Sequence, residues 1–262
     1  MKNVVITGST RGIGLSMAKE FLKAGCNVTL SGRGEALAQS DRAELSSFVG
    51  KYTYIPCNVQ EKSSLHNLWD ISVKQWGSVD IWINNAGQNA PHKFAWETGD
   101  TYTENVINTN ILGMIYGSQI AATGMLKQGY GAIYSMEGLG SNDMIQPKTI
   151  LYGTTKRALR YFMNGLAKEL EGTGVIACRL SPGMMLTDFI TKSPDGDESD
   201  VISDVKFKKL FNILADKPET VARFFIPRIL NNTKNDALIA WLTNRKAAWR
   251  FMTAGSRKGR LL

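Results

Sequence analysis

A phenol and an ammonium stand four residues apart at Tyr152 and Lys156, and none of the chain's other seven tyrosines has a lysine at that spacing. On a helix the two side chains share one face. Such a tyrosine can give a proton to a carbonyl oxygen, and the nearby positive charge lowers the phenol's pKa from its ordinary value of about 10. A pattern this short also arises by chance. A second group of residues supports it. Thr7, Gly8, Ser9, Thr10, Arg11, Gly12, Ile13 and Gly14 follow an apolar run and open an amphipathic one. In that setting Gly8 permits a tight turn, Gly12 lets backbone approach a pyrophosphate, and Gly14 allows close helix–strand packing. The helix N-terminus then offers N–H donors and partial positive charge to phosphates.

These residues need elements to hold them. Short β-branched or apolar runs at 4–6, 28–31, 52–55, 81–83, 132–136, 175–180 and 237–242 read as seven strands. Amphipathic stretches near 13–24, 35–48, 62–76, 101–127, 151–171 and 218–230 read as helices between them. Such alternation predicts an α/β fold with a parallel sheet covered by helices on both faces. No linker, repeat or low-complexity block divides residues 1–262, so a single domain is expected. The polar, acidic stretch 191–204 reads as a lid-like loop extending to 215.

Composition narrows the chemistry. The chain has 262 residues, 43% hydrophobic and 21% charged, typical of a globular protein with a real core. Its formal charge of +8 fits an anionic partner or a basic solubilising surface. Cys26, Cys57 and Cys178 are isolated in apolar runs and read as reduced, buried thiols in a cytoplasmic protein. Two histidines, His66 and His92, lack ligand spacing, so no metal is expected. The N-terminus enters a strand at once, and a signal or transit segment is not expected. Residues 105–126 carry no charge, but their Asn, Gln, Ser and Thr content favours a buried, interface-forming helix over a membrane span.

The second run ends at Arg33, where dinucleotide sites commonly place an acid for the ribose hydroxyl. Arg33 suits a 2′-phosphate, and Arg11 adds a second charge, so NADP(H) is expected; Glu35 keeps NAD open.

Taken in order, the glycine loop, Asn84, Asn85, Ala86 and Gly87, Asn110, Tyr152 and Lys156, and Pro182, Gly183 and Thr187 resemble the short-chain dehydrogenase/reductases over almost the whole chain. The resemblance implies a Rossmann-type doubly wound sheet and hydride transfer between a nicotinamide cofactor and a small-molecule carbonyl or alcohol. It implies that Tyr152 donates the proton and Lys156 holds the ribose hydroxyls. Asn110 would hold a water reaching Lys156, unless it is a satisfied core amide. Asn58 and Val59 would lie by the adenine, Asn85, Ala86 and Gly87 by the adenosine, and Pro182, Gly183 and Thr187 by the nicotinamide.

One part departs. The family's usual serine falls on Gly138 or Leu139; Ser141 is the nearest candidate, with Glu137, Asn142 or backbone as rivals. This loop, with residues 181–188 and 211–230, is similar to the chlorophyll b reductase branch, which reduces a formyl group on a chlorin. The expected substrate is therefore a bulky apolar aldehyde. A keto-acyl group, a sugar or another small carbonyl is the alternative, and a non-catalytic NADP-binding sensor or scaffold a third. The tail 243–262, basic and aromatic without acids, suits a membrane surface or a neighbouring subunit. A homodimer or homotetramer is expected, and no nucleic-acid module is evident.

Overall fold

The computed structural model describes residues 1–192, 200–256 and 261. Seven parallel strands form one sheet: β1 Asn3–Ile6, β2 Asn27–Gly32, β3 Tyr52–Pro56, β4 Ile81–Asn84, β5 Gly131–Met136, β6 Val175–Ser181 and β7 Leu238–Ala240. Their order is β3-β2-β1-β4-β5-β6-β7. Strand order reverses between β1 and β4, and ligands of such sheets enter beyond the carboxyl ends of the strands at that point. Register is fixed there by the pairs Val4 with Ile81 and Ile6 with Ile83.

Side chains alternate across the pleat, so each strand feeds two cores. Ile6, Leu30, Ile83, Tyr134 and Leu180 point to helices α1 Gly12–Lys23 and α9 Pro218–Leu230. Val5, Trp82, Ile133 and Ala177 point to α3 Lys62–Trp76, α5 Gly113–Gln128 and α6 Ile150–Glu169. Trp82 is fully buried and donates its indole N–H to Asn84 (2.8 Å), which in turn donates to Ser118 (2.9 Å). Burying one such side chain contributes about 2–3 kcal/mol, and its polar edge is satisfied.

All seven predicted strands are present, and β7 is shorter than 237–242. Trp241 and Leu242 turn their side chains to other tasks: the indole N–H of Trp241 donates to Asp216, and Leu242 packs over Gly183. Three expectations need correction. The helix 35–48 begins later, as the six-residue α2 Gln39–Glu44 and a separate turn, Ser46–Phe48. The helix 101–127 is not continuous: α4 Asp100–Ile107 passes through a π turn at Asn108–Leu112 before α5 begins. The span 191–215 is not all loop. Residues 193–199 lie outside the described residues, but Val205–Leu214 is a helix, α8, whose N-terminal N–H groups of Lys206 and Phe207 are capped by Asp204. Apolar residues Phe207, Leu210, Phe211 and Leu214 fall at helical spacing, and Phe211 is fully buried. That signal was in the sequence and the acidic residues before it masked it. The tail, for its part, forms α10 Asn244–Met252, which packs on this chain's own α8. Buried Arg250 donates to Leu214 O (2.6 Å) and pairs with Asp216 (2.7 Å). Tail residues 257–260 and 262 lie outside the described residues.

Candidate active site

Helix α6 buries a stripe at Thr155, Lys156, Leu159, Met163 and Ala167. Lys156 occupies a place on that stripe where a hydrophobe would be expected. It is 5% exposed, and its Nζ donates to Met136 O (3.0 Å) at the end of β5. One turn earlier stands Tyr152, whose ring centroid lies 5.5 Å from that Nζ. Burial acts on both groups. It lowers the Lys156 ammonium to about 8 and raises the Tyr152 phenol well above its ordinary value. Phe189, in the short helix α7 Asp188–Thr191, presents its edge to Tyr152 with centroids 5.4 Å apart. Asn89 fixes Phe189 by donating to its carbonyl (2.8 Å).

Position 138 explains the missing serine in steric terms. A Cβ added to Gly138 would overlap the Tyr152 hydroxyl and come 3.3 Å from Lys156 Cε. The absence of a side chain leaves that volume to the phenol. Ser141 does not line this space. Its hydroxyl is 2% exposed, accepts from Gly138 N (3.2 Å) and donates to Lys156 O (3.3 Å). Both capacities are used within the chain, so Ser141 ties the loop 138–141 to α6. As a group polarising substrate it is corrected by this geometry.

Asn110 lies in the π turn and is 2% exposed. Its Nδ2 donates to Gln88 O (2.9 Å) and Thr155 Oγ1 (3.1 Å), and its Oδ1 accepts from Gln88 N (2.7 Å). The side chain thus clamps the segment after β4 to the turn of α6 that carries Lys156. The amide is bonded within the chain through both its nitrogen and its oxygen.

The glycine loop sits at the switch point. Gly8 has φ +61°, and a Cβ there would lie 2.7 Å from Ala86 Cα. At Gly14 a Cβ would fall 2.5 Å from Asn85 Nδ2 and Gly8 O. Asn85 Nδ2 donates to Thr7 O (3.0 Å) and Gly8 O (2.8 Å), so its amide shapes the loop from β4. Ser9 is buried, its hydroxyl donating to Ile6 O (2.8 Å) and accepting from Ser31 N (2.9 Å). Thr10 lies against Gly32, and Ile13 packs in the α1 core. At Gly12, with φ +57°, the nearest atom to an added Cβ would be Thr187 Cγ2 at 3.5 Å. The Pro182–Thr187 segment therefore closes against the loop, and Arg11 reaches Asp188 at 3.5 Å. The first turn of α1 holds no acid, and Arg11 makes no side-chain cap. Those N–H groups and the bare glycine backbone fit a dinucleotide's phosphates. A Cβ added at Gly87 would meet Asn110 Oδ1 at 3.5 Å and Lys156 Nζ at 3.9 Å. Arg33 is exposed just past β2.

Two predicted contacts fit less well. Asn58 donates Nδ2 to Glu61 (3.0 Å) and accepts from Gln60 N (3.3 Å), folding back on the turn into α3. Val59 is buried against Gly113.

Asp216 was not anticipated. Its N–H donates to Met184 O and its carbonyl accepts from Leu186 N, both at 3.1 Å. Its carboxylate takes Trp241 Nε1 (2.6 Å) and Arg250. Asp216 thus joins the Pro182–Thr187 segment to the tail helix. Only an isolated acid after an apolar helix marked it in the sequence. Among the described residues no cluster could hold a metal ion, and no helix is long and apolar enough to cross a membrane. All three cysteines are free and buried.

The family model for short chain dehydrogenase matches residues 2–198. Among curated proteins, the Arabidopsis thaliana probable chlorophyll(ide) b reductase NYC1, chloroplastic, is 33% identical over 99% of this chain, which spans 54% of that protein's length. The Oryza sativa subsp. japonica chlorophyll(ide) b reductase NOL, chloroplastic, is 36% identical over 94% of this chain and 72% of its own length. Among solved structures, ElxO with NADP bound is 27% identical with a TM-score of 0.79, covering 91% of this chain and 96% of that one. A Mycobacterium marinum short-chain type dehydrogenase/reductase, at 22% identity and TM-score 0.77 over 91% and 94% of the two chains, shares the fold. The sheet order, the glycine loop at the switch point and Tyr152 beside buried Lys156 agree with these likenesses: the chain belongs to the short-chain dehydrogenase/reductase family.

Proposed function

We propose that this chain is an NADPH-dependent reductase of a bulky apolar aldehyde, with a chlorophyll b-like formyl group as the leading substrate. The observation that carries the catalytic part is Tyr152 over bare Gly138 with Lys156 buried one turn away. The bound nicotinamide supplies the hydride. Tyr152 holds the proton for the carbonyl oxygen, and burial keeps its phenol protonated through neutral pH. Lys156, charged below about 8, stabilises the phenolate left behind. Asn110 keeps Lys156's helix and the segment after β4 in one place. With Ser141 committed to the loop, the carbonyl oxygen meets Tyr152 and the backbone at 138–140 without a serine hydroxyl. Phe189 offers an apolar wall beside Tyr152.

NADP(H) is supported by exposed Arg33 and Arg11 and by the NADP-bound ElxO neighbour. The substrate reading draws on the two plant relatives and on the loop at 137–141. A small ketone reductase is the second reading, favoured by Phe189 standing over the cleft. Contact with a lipid surface is supported by helices α8 and α10, which carry six Lys or Arg and no acid. Trp249 is 58% and Met252 78% exposed, on a helix that Arg250 anchors from its other side. The uncharged run 105–126 and the edge strand β7 suit assembly with further copies. Free, buried thiols support a reducing compartment, as in a cytoplasm.

The test is a substrate screen following NADPH loss with purified chain, setting formyl-bearing tetrapyrroles against small ketones. Preference for the tetrapyrrole aldehyde, abolished by Tyr152→Phe, is the expected result. Turnover confined to small ketones would overturn the substrate class.

A further inference from the structure

Glu137 stands one residue before the gap at 138 and has no role in the chemistry above. It is 5% exposed. Its N–H donates to Leu180 O (2.8 Å), which carries the β5–β6 ladder one residue further. By strand alternation its side chain shares the α6 face with Ser135 and Arg179. Arg179 is its nearest cation, with Nη1 3.8 Å from Oε1, too long for a hydrogen bond. Arg179 spends Nη2 instead on Asp236, 2.7 Å from Oδ1 and 3.3 Å from the carbonyl. Arg160 of α6 gives its Nη1 to Ser141 O (2.7 Å). Glu137 Oε1 and Arg179 Nε have no hydrogen-bond partner. An ion pair kept for stability would close into a two-bonded fork; this one stays open.

The other buried charge on this face is Lys156, held at the carbonyl of Met136, the residue next to Glu137. What else surrounds that ammonium is uncharged: Tyr152 on its own helix, Gly87 after β4, and the amide of Asn110 clamped to Thr155. A buried ammonium needs a counter-charge to remain one. We propose that Glu137 is a positioning residue that supplies this counter-charge, keeping Lys156 protonated at the Met136 carbonyl so that Tyr152 has a cation beside it at neutral pH. This rests on the reading of Tyr152 and Lys156 as the proton-donating pair. Electrostatics agree in direction. Burial lowers Lys156 and Glu137 opposes it; burial likewise raises the Glu137 carboxyl above its ordinary range, and Arg179, Arg160 and Lys156 oppose that rise.

The experiment reads Lys156 itself, without substrate. Full-length chain carrying ¹³C at lysine Cε is titrated by NMR, and the Lys156 signal is assigned by its loss in Lys156→Arg. In Glu137→Gln the Lys156 midpoint is expected to fall by about one pH unit, and Glu137→Asp should restore at least half of that shift. Should the single variant not fold, Glu137→Gln with Arg179→Gln removes both buried charges and leaves only the half-exposed Asp236, which water can solvate, without its cation. The same fall is expected there, since Arg179 faces Glu137 and Asp236. A midpoint that stays at the wild-type value, even with turnover uniformly slower at every pH, overturns the proposal and leaves Glu137 a purely structural acid. Absence of carbonyl reduction by the wild type would instead sink the reductase reading, and this titration would still report on Glu137.

Discussion

Lys156 is buried in the α6 stripe and Tyr152 stands partly buried one turn earlier, and desolvation pushes their protonation equilibria in opposite directions. The phenol stays protonated across the neutral range, so the basic limb of reductive turnover belongs to Lys156. Below about 8 the ammonium is charged and can stabilise a developing phenolate; above it the charge is lost. Reduction is therefore expected to fall as pH rises through about 8, and a pH–rate profile of kcat checks it. Tyr152→Phe removes the proton donor and little volume. It should lower kcat about 10²–10⁴-fold and leave NADPH affinity, measured by cofactor fluorescence, unchanged. At this scale the sequence was informative because a four-residue spacing maps directly to one helix face. Ser141 was misleading because proximity in sequence does not give a hydroxyl's direction. Its two bonds, to Gly138 N and Lys156 O, exist only once the loop has folded back on α6.

Elements decide how those residues meet. The loop 138–141 lies so close to α6 that restoring the family's serine should harm this chain. Gly138→Ser would force Tyr152 aside, and turnover should fall at least about tenfold, the cost of overpacking by about 1–3 kcal/mol; a rate above wild type would refute the steric argument. Helix α10 depends on Arg250, whose charge is buried against Asp216 and Leu214 O. Arg250→Ala leaves the largely buried Asp216 short of its cation and should cost about 3–5 kcal/mol. The expected signs are a lower melting temperature and faster proteolysis within 244–252. Strands were legible because each is a short apolar run feeding two cores. The π turn was not, since Asn108–Leu112 has the same composition as the helices around it and differs only in hydrogen-bond register. Likewise α8 was hidden because its polar preamble reads as loop, although Asp204 caps it.

For the molecule as a whole, charge is the property that composition shows and topology distributes. If exposed Arg33 grips a 2′-phosphate, Arg33→Glu should weaken NADPH binding at least about tenfold while sparing NADH, a difference equilibrium titration reads; equal loss for both would reject the assignment. The basic faces of α8 and α10 predict sedimentation with anionic liposomes that a chain truncated after 242 has lost. The sheet order follows from alternating runs and right-handed crossovers, so the architecture was readable; which distant segments touch was not. The meeting of Gly12 with Thr187, and of Asp216 with Arg250, rests on tertiary closure that no local pattern encodes. That closure has a temporal side. β1, translated before the other six strands of this sheet, lies inside it, and its second neighbour is β4, paired through Val4 with Ile81. A nascent chain ending before β4 therefore carries β1 with one edge bare, exposed to wrong pairing until the partner strand is made. Chains released short of residue 81 should aggregate or recruit chaperones, whereas chains that include β4 and β5 should already resist protease across the β1–β4 seam.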